Sequence, residues 1–97
     1  MNHLAIEGLV ATTPRAVVTE TGLEVFTFRL ANQTGDQTNW LTATAFGDIA
    51  VEAGKVIGKG DNVFLEGQLR VRDWDNGERS GTSVEMEIRN FHLISKL

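Results

Sequence analysis

The chain has 97 residues, 41% of them hydrophobic and 23% charged, with nine Lys/Arg against thirteen Asp/Glu, a net charge of −4 and a pI near 5.0. That makeup is one compact domain, and its acidity argues against a protein that grips nucleic acid through bulk positive charge, leaving only a local basic patch to consider. The absence of cysteine excludes disulfide frameworks and thiolate metal sites, and no stretch approaches the ~20 apolar residues of a membrane span. A soluble, cytoplasmic protein is the expectation, one whose modest core favours self-association.

Asn2 to Val10 alternates as a first strand, with Leu4 and Ile6 on one face, continued by Gly8 and Val10. Gly8 in mid-strand marks a bend or a close backbone approach. Pro14 interrupts, and Arg15 to Thr19 continues the strand to a turn at Thr21-Gly22. Leu23 to Ala31 is the second strand, with Phe26, Phe28 and Leu30 inward and Val25, Thr27 and Arg29 opposite. Asn32 to Thr38, wholly polar or glycine, reads as an exposed hairpin loop.

The third strand, Asn39 to Gly47, has two dissimilar faces. Trp40, Thr42, Thr44 and Phe46 share one, and the small apolar Leu41, Ala43 and Ala45 share the other. Rings separated by hydroxyls suit a platform for something planar; the alternative puts the rings in the core. Asp48 is placed to cap a helix carrying Ile49, Ala53, Val56 and Ile57, stopped by Gly58-Lys59-Gly60.

A fourth strand runs from Asp61 to about Trp74. Val63, Leu65, Leu69 and Val71 point one way, with Gly67 interrupting, and Phe64, Glu66, Gln68, Arg70, Arg72 and Trp74 point the other. After the turn signal Asp75-Asn76-Gly77, the last strand starts with Val84, Met86 and Ile88 inward. A parity change to Phe91 and Leu93 predicts a bulge near Asn90. Three strands, a short helix and two strands make an all-β, five-stranded Greek-key barrel of the OB-fold type, with the helix between the third and fourth strands.

In this arrangement the sequence resembles the bacterial single-stranded DNA-binding protein family. The run Trp40 to Gly47 is similar to that family's third strand, and Lys59 to Arg70 to its KG-x-x-V-x-x-EG-x-L signature, with Asn2, Gly8 and Pro14 also in place. The resemblance covers residues 1–97 as a single domain. It implies stacking of DNA bases on Trp40, Phe46 and Trp74, and basic contacts from Lys59, Arg70 and Arg72. Thr42 and Thr44 lie between the rings and complete the expected DNA-binding set. Thr42, Asp48, Gly58 and Asp73 stand where many members carry Lys or Arg, and no ring falls in Asn32 to Thr38. Members usually continue into a flexible linker with an acidic tip that recruits replication and repair proteins; the sequence stops at Leu97, as either a naturally short form without that tail or a chain cut before it would.

Relatives join subunits through the first strand and the start of the fourth, which implies an oligomer interface at His3, Ala5, Phe64 and Glu66. A homotetramer is expected, with a homodimer second. Arg70, Arg72 and Trp74 share one face, so a cationic pair leads to a ring. Arg29, Arg79 and Arg89 read as ordinary surface charges, and Asp75 and Glu78 as solvated turn acids. His3 and His92 show no metal-ligand spacing. With no nucleophile–base pair, phosphate loop or metal cluster, neither an enzyme nor a cofactor is expected. The function expected is sequence-independent protection of single-stranded DNA in replication, recombination and repair. The alternative is a tail-less OB-fold adaptor of the primosomal kind that works mainly by contacting proteins.

Overall fold

A computed structural model describes residues 1–97. Six strands and one helix follow in order: β1 (Leu4–Val10), β2 (Arg15–Val18), β3 (Glu24–Thr34), β4 (Gln37–Phe46), α1 (Asp48–Val56), β5 (Asn62–Asp75) and β6 (Ser80–Ser95). They form one sheet in the order β1-β5-β6-β4-β3-β2, closed where Leu9 and Val10 of β1 pair with Ala31 and Leu30 of β3. All pairings are antiparallel except β4 with β6, which α1 and β5 separate in the chain. This is the expected OB-type barrel, its first strand broken at Pro14 into β1 and β2.

The alternation of apolar residues decides what the barrel encloses. Phe26, Phe28 and Leu30 of β3 meet Leu41, Ala43 and Ala45 of β4, Val63 and Leu65 of β5, and Met86 and Ile88 of β6. The helix lays Ala50 and Ala53 against this core, and Ile57 closes its exit. Trp40 and Phe46 lie outside, because small residues on the opposite face of β4 leave the core filled by its neighbours.

Several details differ from the sequence reading. Asn32 to Thr38 is no irregular loop: the β3–β4 ladder continues through Asn32↔Asn39, Gln33↔Thr38 and Thr34↔Gln37 to a turn at Gly35-Asp36. Cross-strand side-chain bonds replace apolar contacts there, among them Asn39 Nδ2 to Asn32 Oδ1 at 3.0 Å and Thr38 Oγ1 to Gln33 Oε1 at 3.0 Å. Asp48 does not cap α1. Gly47, with φ 71°, occupies that position without a side-chain bond, and Asp48 is the first helical residue, where a carboxylate favours the helix dipole.

Leu69, Val71 and Val84 are not core. They are 38%, 57% and 38% exposed, because β5 loses its β1 partner beyond Gly67 and the β5–β6 hairpin leaves the barrel where β6 parts from β4 at Glu85. The bulge near Asn90 is present, with Arg89 as the extra residue between Glu66↔Asn90 and Gly67↔Ile88. A second irregularity lies at Ile94, between Val63↔Leu93 and Asn62↔Ser95. At the first bulge, a Cβ on Gly67 would overlap the carbonyl of Glu87, so glycine is what lets the two backbones close.

Candidate nucleic-acid interface

Strand pairing sets the outward residues of four strands side by side. Along one row Arg29 of β3 pairs with Thr42 of β4, then Glu85 of β6 and Arg70 of β5; along the next, Thr27, Thr44, Glu87 and Gln68 follow in the same order. Directly opposite residues project from the same side of a sheet, so these rows form one continuous face. On β4, Trp40 and Phe46 stand at either end of the two threonines, 50% and 42% exposed.

The threonines are held rather than free. The Thr27 hydroxyl donates to the Ala43 carbonyl at 3.1 Å and shares a 3.0 Å bond with the Thr44 hydroxyl, and Arg29 Nη1 donates to Thr42 Oγ1 at 3.4 Å. The Arg29 guanidinium carbon also lies 5.6 Å from the centre of the Trp40 ring. A cation at that distance is attracted to the ring's electron-rich face and fixes its tilt. Arg29 therefore belongs to the face, which its reading as an ordinary surface charge missed; the hairpin register was the signal.

Arg89, read the same way, also turns onto this face. Its Nε is 2.9 Å from Glu87 Oε2, and its Nη2 donates to Gln68 Oε1 at 3.0 Å. Arg72 Nη2 lies 3.4 Å from Glu85 Oε1, while Arg70 forms no ion pair within 4.0 Å. Four arginines against two glutamates give this side a local positive excess within an acidic protein.

Thr44, Phe46, Arg70 and Arg72 come together around a shallow groove of about 140 Å³. Trp74 is set apart on the β5–β6 arm, 42% exposed in a groove with Asp73, Asp75 and Gly81. Its ring lies over Gly81, whose Cβ, were there one, would sit 2.7 Å from Trp74 Cζ2. Lys59 stands in the turn after α1, at the end of β5 remote from Arg70, and forms no ion pair within 4.0 Å. Asp73 lies on the other side of the arm from Arg72 and Trp74, where its Oδ1 accepts from the Thr82 hydroxyl at 3.0 Å.

The second predicted group gathers on β1 and the first half of β5. Register pairs Ala5 with Glu66 and Glu7 with Phe64. His3 Nε2 lies 3.2 Å from Glu66 Oε2, and Phe64 is half-buried, stacked on His92 at 6.2 Å. From Leu4 to Gly8, the edge of β1 away from β5 has no ladder partner, though Asn32 Nδ2 donates to the Glu7 carbonyl at 2.9 Å.

A closed OB barrel with ring-bearing strands on one open face defines a class of nucleic-acid-binding domain, and comparison with known proteins narrows it. Residues 1–94 match the single-strand binding protein family. The chain is 39% identical over 103 residues to the single-stranded DNA-binding protein 2 of Tropheryma whipplei, in strains Twist and TW08/27 alike, covering 94% of this chain and 67% of the relative. It is 27% identical over 97 residues to the single-stranded DNA-binding protein 1 of Chlorobaculum tepidum, covering 91% and 60% respectively. The chain belongs to the single-strand binding protein family.

Proposed function

We propose that this protein binds single-stranded DNA independently of sequence, with bases stacked on Trp40, Phe46 and Trp74 and phosphates met by Arg70, Arg72 and Lys59. The observation that carries this reading is the exposed face of β4: two half-exposed rings flanking Thr42 and Thr44, with Arg29 on neighbouring β3 and Arg70 and Arg72 on β5, beyond the glutamates of β6. Every base has a face to stack, so such rings bind without reading sequence, and arginine adds salt-dependent attraction to phosphate. A duplex hides those base faces. The binding is non-enzymatic and serves strand protection in replication, recombination and repair.

Oligothymidine is expected to quench tryptophan fluorescence, and mixed-sequence duplex is not. Trp40→Ala is expected to weaken binding by about 1–3 kcal/mol. A Trp40→Ala protein that bound oligothymidine like the parent would refute stacking on β4.

The working unit in this proposal is a homotetramer, or a homodimer, joined through His3, Ala5, Phe64 and Glu66. Its support is the open β1 edge beside the half-buried Phe64. Light scattering at micromolar concentration tests it, and Phe64→Arg is expected to split the assembly by placing a charge in an apolar contact.

A further inference from the structure

Beyond β4 the proposed DNA face continues on the side away from β5. All four residues of β2 are exposed. Register sets Arg15 opposite Thr27 and Val17 opposite Val25, and β3 carries those rows on to Thr44 and Phe46 of β4. Opposite residues project from the same side of a sheet, so Arg15 and Val17 belong to the face that bears the rings. Val17, 43% exposed, prolongs the apolar row of Phe46. Arg15 stands one strand further out than Arg29 and two residues further along, about 8 Å away by strand spacing and rise.

The two flanks of the ring-bearing strand differ in free charge. On the β5–β6 flank, Arg72 and Arg89 are already matched to Glu85 and Glu87, at 3.4 and 2.9 Å, which leaves Arg70 unpaired. Glu85 stands between Thr42 and Arg70, and Glu87 between Thr44 and Gln68. A backbone laid directly beside the rings on that flank would run over two carboxylates. On the β2–β3 flank, neither Arg15 nor Arg29 forms an ion pair within 4.0 Å; Arg29 touches only a ring and a hydroxyl. We propose that Arg15 and Arg29 form a phosphate-binding rail along β2 and β3. The backbone of a strand whose bases stack on Trp40 and Phe46 lies on this flank, and Arg70 and Arg72 receive the phosphates of the segment that goes on to Trp74. Phosphate carries no sequence, so the rail takes any single strand; it rests on the proposed binding of single strands.

A salt series with oligothymidine, read by tryptophan quenching, tests the rail. Arg15→Gln is expected to bind several-fold more weakly than the parent at low salt, with a salt slope shallower by ~0.7. Combining it with Arg29→Gln is expected to remove about twice that slope. Lys55→Gln takes the same charge from α1, where Lys55 faces Glu52 at 3.6 Å, and is expected to keep the parental slope. An equal shift in Lys55→Gln would mean that Arg15 acts through net charge, and would overturn the proposal. So would a parental affinity and slope in Arg15→Gln. Modification by phenylglyoxal, mapped by mass spectrometry, reads the contact directly: oligothymidine is expected to protect Arg15. An Arg15 modified equally with and without the strand, while Arg70 is protected, would place the backbone on the other flank and overturn the rail. If the parent bound no oligothymidine, the underlying reading would fall, an outcome distinct from binding that ignores Arg15.

Discussion

With the Arg29 guanidinium 5.6 Å from one face of Trp40 and 3.4 Å from the Thr42 hydroxyl, the indole keeps its other face open in a fixed orientation. Removing the cation should therefore act on the ring as well as on phosphate. Arg29→Ala is expected to weaken oligothymidine binding by about 0.5–1 kcal/mol through the ring, with a further loss and a salt slope shallower by ~0.7 where the guanidinium also meets a phosphate. A salt series separates the two contributions, and unchanged affinity and slope together would remove Arg29 from the site. Trp74 depends on a different support, the bare backbone of Gly81. In a Trp40→Phe background, where Trp74 is the sole indole, Gly81→Ala is expected to displace the ring and reduce quenching by DNA while the melting temperature holds. The role of Arg29 was hidden in the sequence for a specific reason. Its parity was plain, but its neighbour across the hairpin depends on where the turn falls, and Asn32 to Thr38 looked like a loop. Placing the turn at Gly35-Asp36 sets Arg29 opposite Thr42 at once.

At the scale of elements, the β5–β6 hairpin is two structures in one. Its first part, with Val63, Leu65, Met86 and Ile88, is barrel wall, and its second part is an arm carrying Arg70, Arg72 and Trp74. Gly67 stands at the junction, where Arg89 bulges and Glu87 comes too close for any side chain. Gly67→Ala is expected to destabilise the domain by about 1–3 kcal/mol, seen as a lower urea midpoint, because backbone rather than a flexible side chain must move. Leu65→Ala, inside the wall, is expected to cost about 2–5 kcal/mol, whereas Val71→Ala on the arm should change stability by no more than about 0.5 kcal/mol. Equal losses at Leu65 and Val71 would mean that the arm's face is covered after all. Alternation made the strands, the rings and the core of this protein legible. It also sent Val84 inward with Met86 and Ile88, because a period of two identifies a shared face and says nothing of whether a second layer lies against it. Only the closure of the sheet, which joins residues far apart in sequence, decides where the wall ends.

Across the whole molecule, the barrel is fastened at the side where α1, β1, the start of β5 and the end of β6 meet, and the Asp61 carboxylate ties these parts together. Asp61 is 2% exposed. Its Oδ2 accepts from Lys96 Nζ at 2.9 Å and from the Gly58 amide at 2.8 Å, and its Oδ1 accepts from the Leu97 amide at 3.1 Å. Lys96 Nζ also donates to the Val56 carbonyl at 2.8 Å, at the exit of α1, and the Val10 amide donates to the Asp61 carbonyl at 2.9 Å. Lys96 and the two backbone amides favour the ionised form and hold the Asp61 carboxyl down at about 2, from an ordinary 3.8. A carboxyl whose folded value lies below its unfolded one binds fewer protons when folded. Its stabilisation is complete above pH 4 and drains away as the pH falls through that window to about 2. Thermal melts of the parent are therefore expected to decline between pH 4 and pH 2. Asp61→Asn should start lower, because the amide cannot pair with Lys96, and should decline less steeply over the same range. Lys96→Met removes the largest stabilising contact of the carboxylate and should flatten the decline as well, while leaving the two amide bonds. Parallel melting curves for parent and Asp61→Asn across that window would show that other carboxylates govern acid unfolding, and that the bonds around Asp61 close the barrel without setting its acid limit.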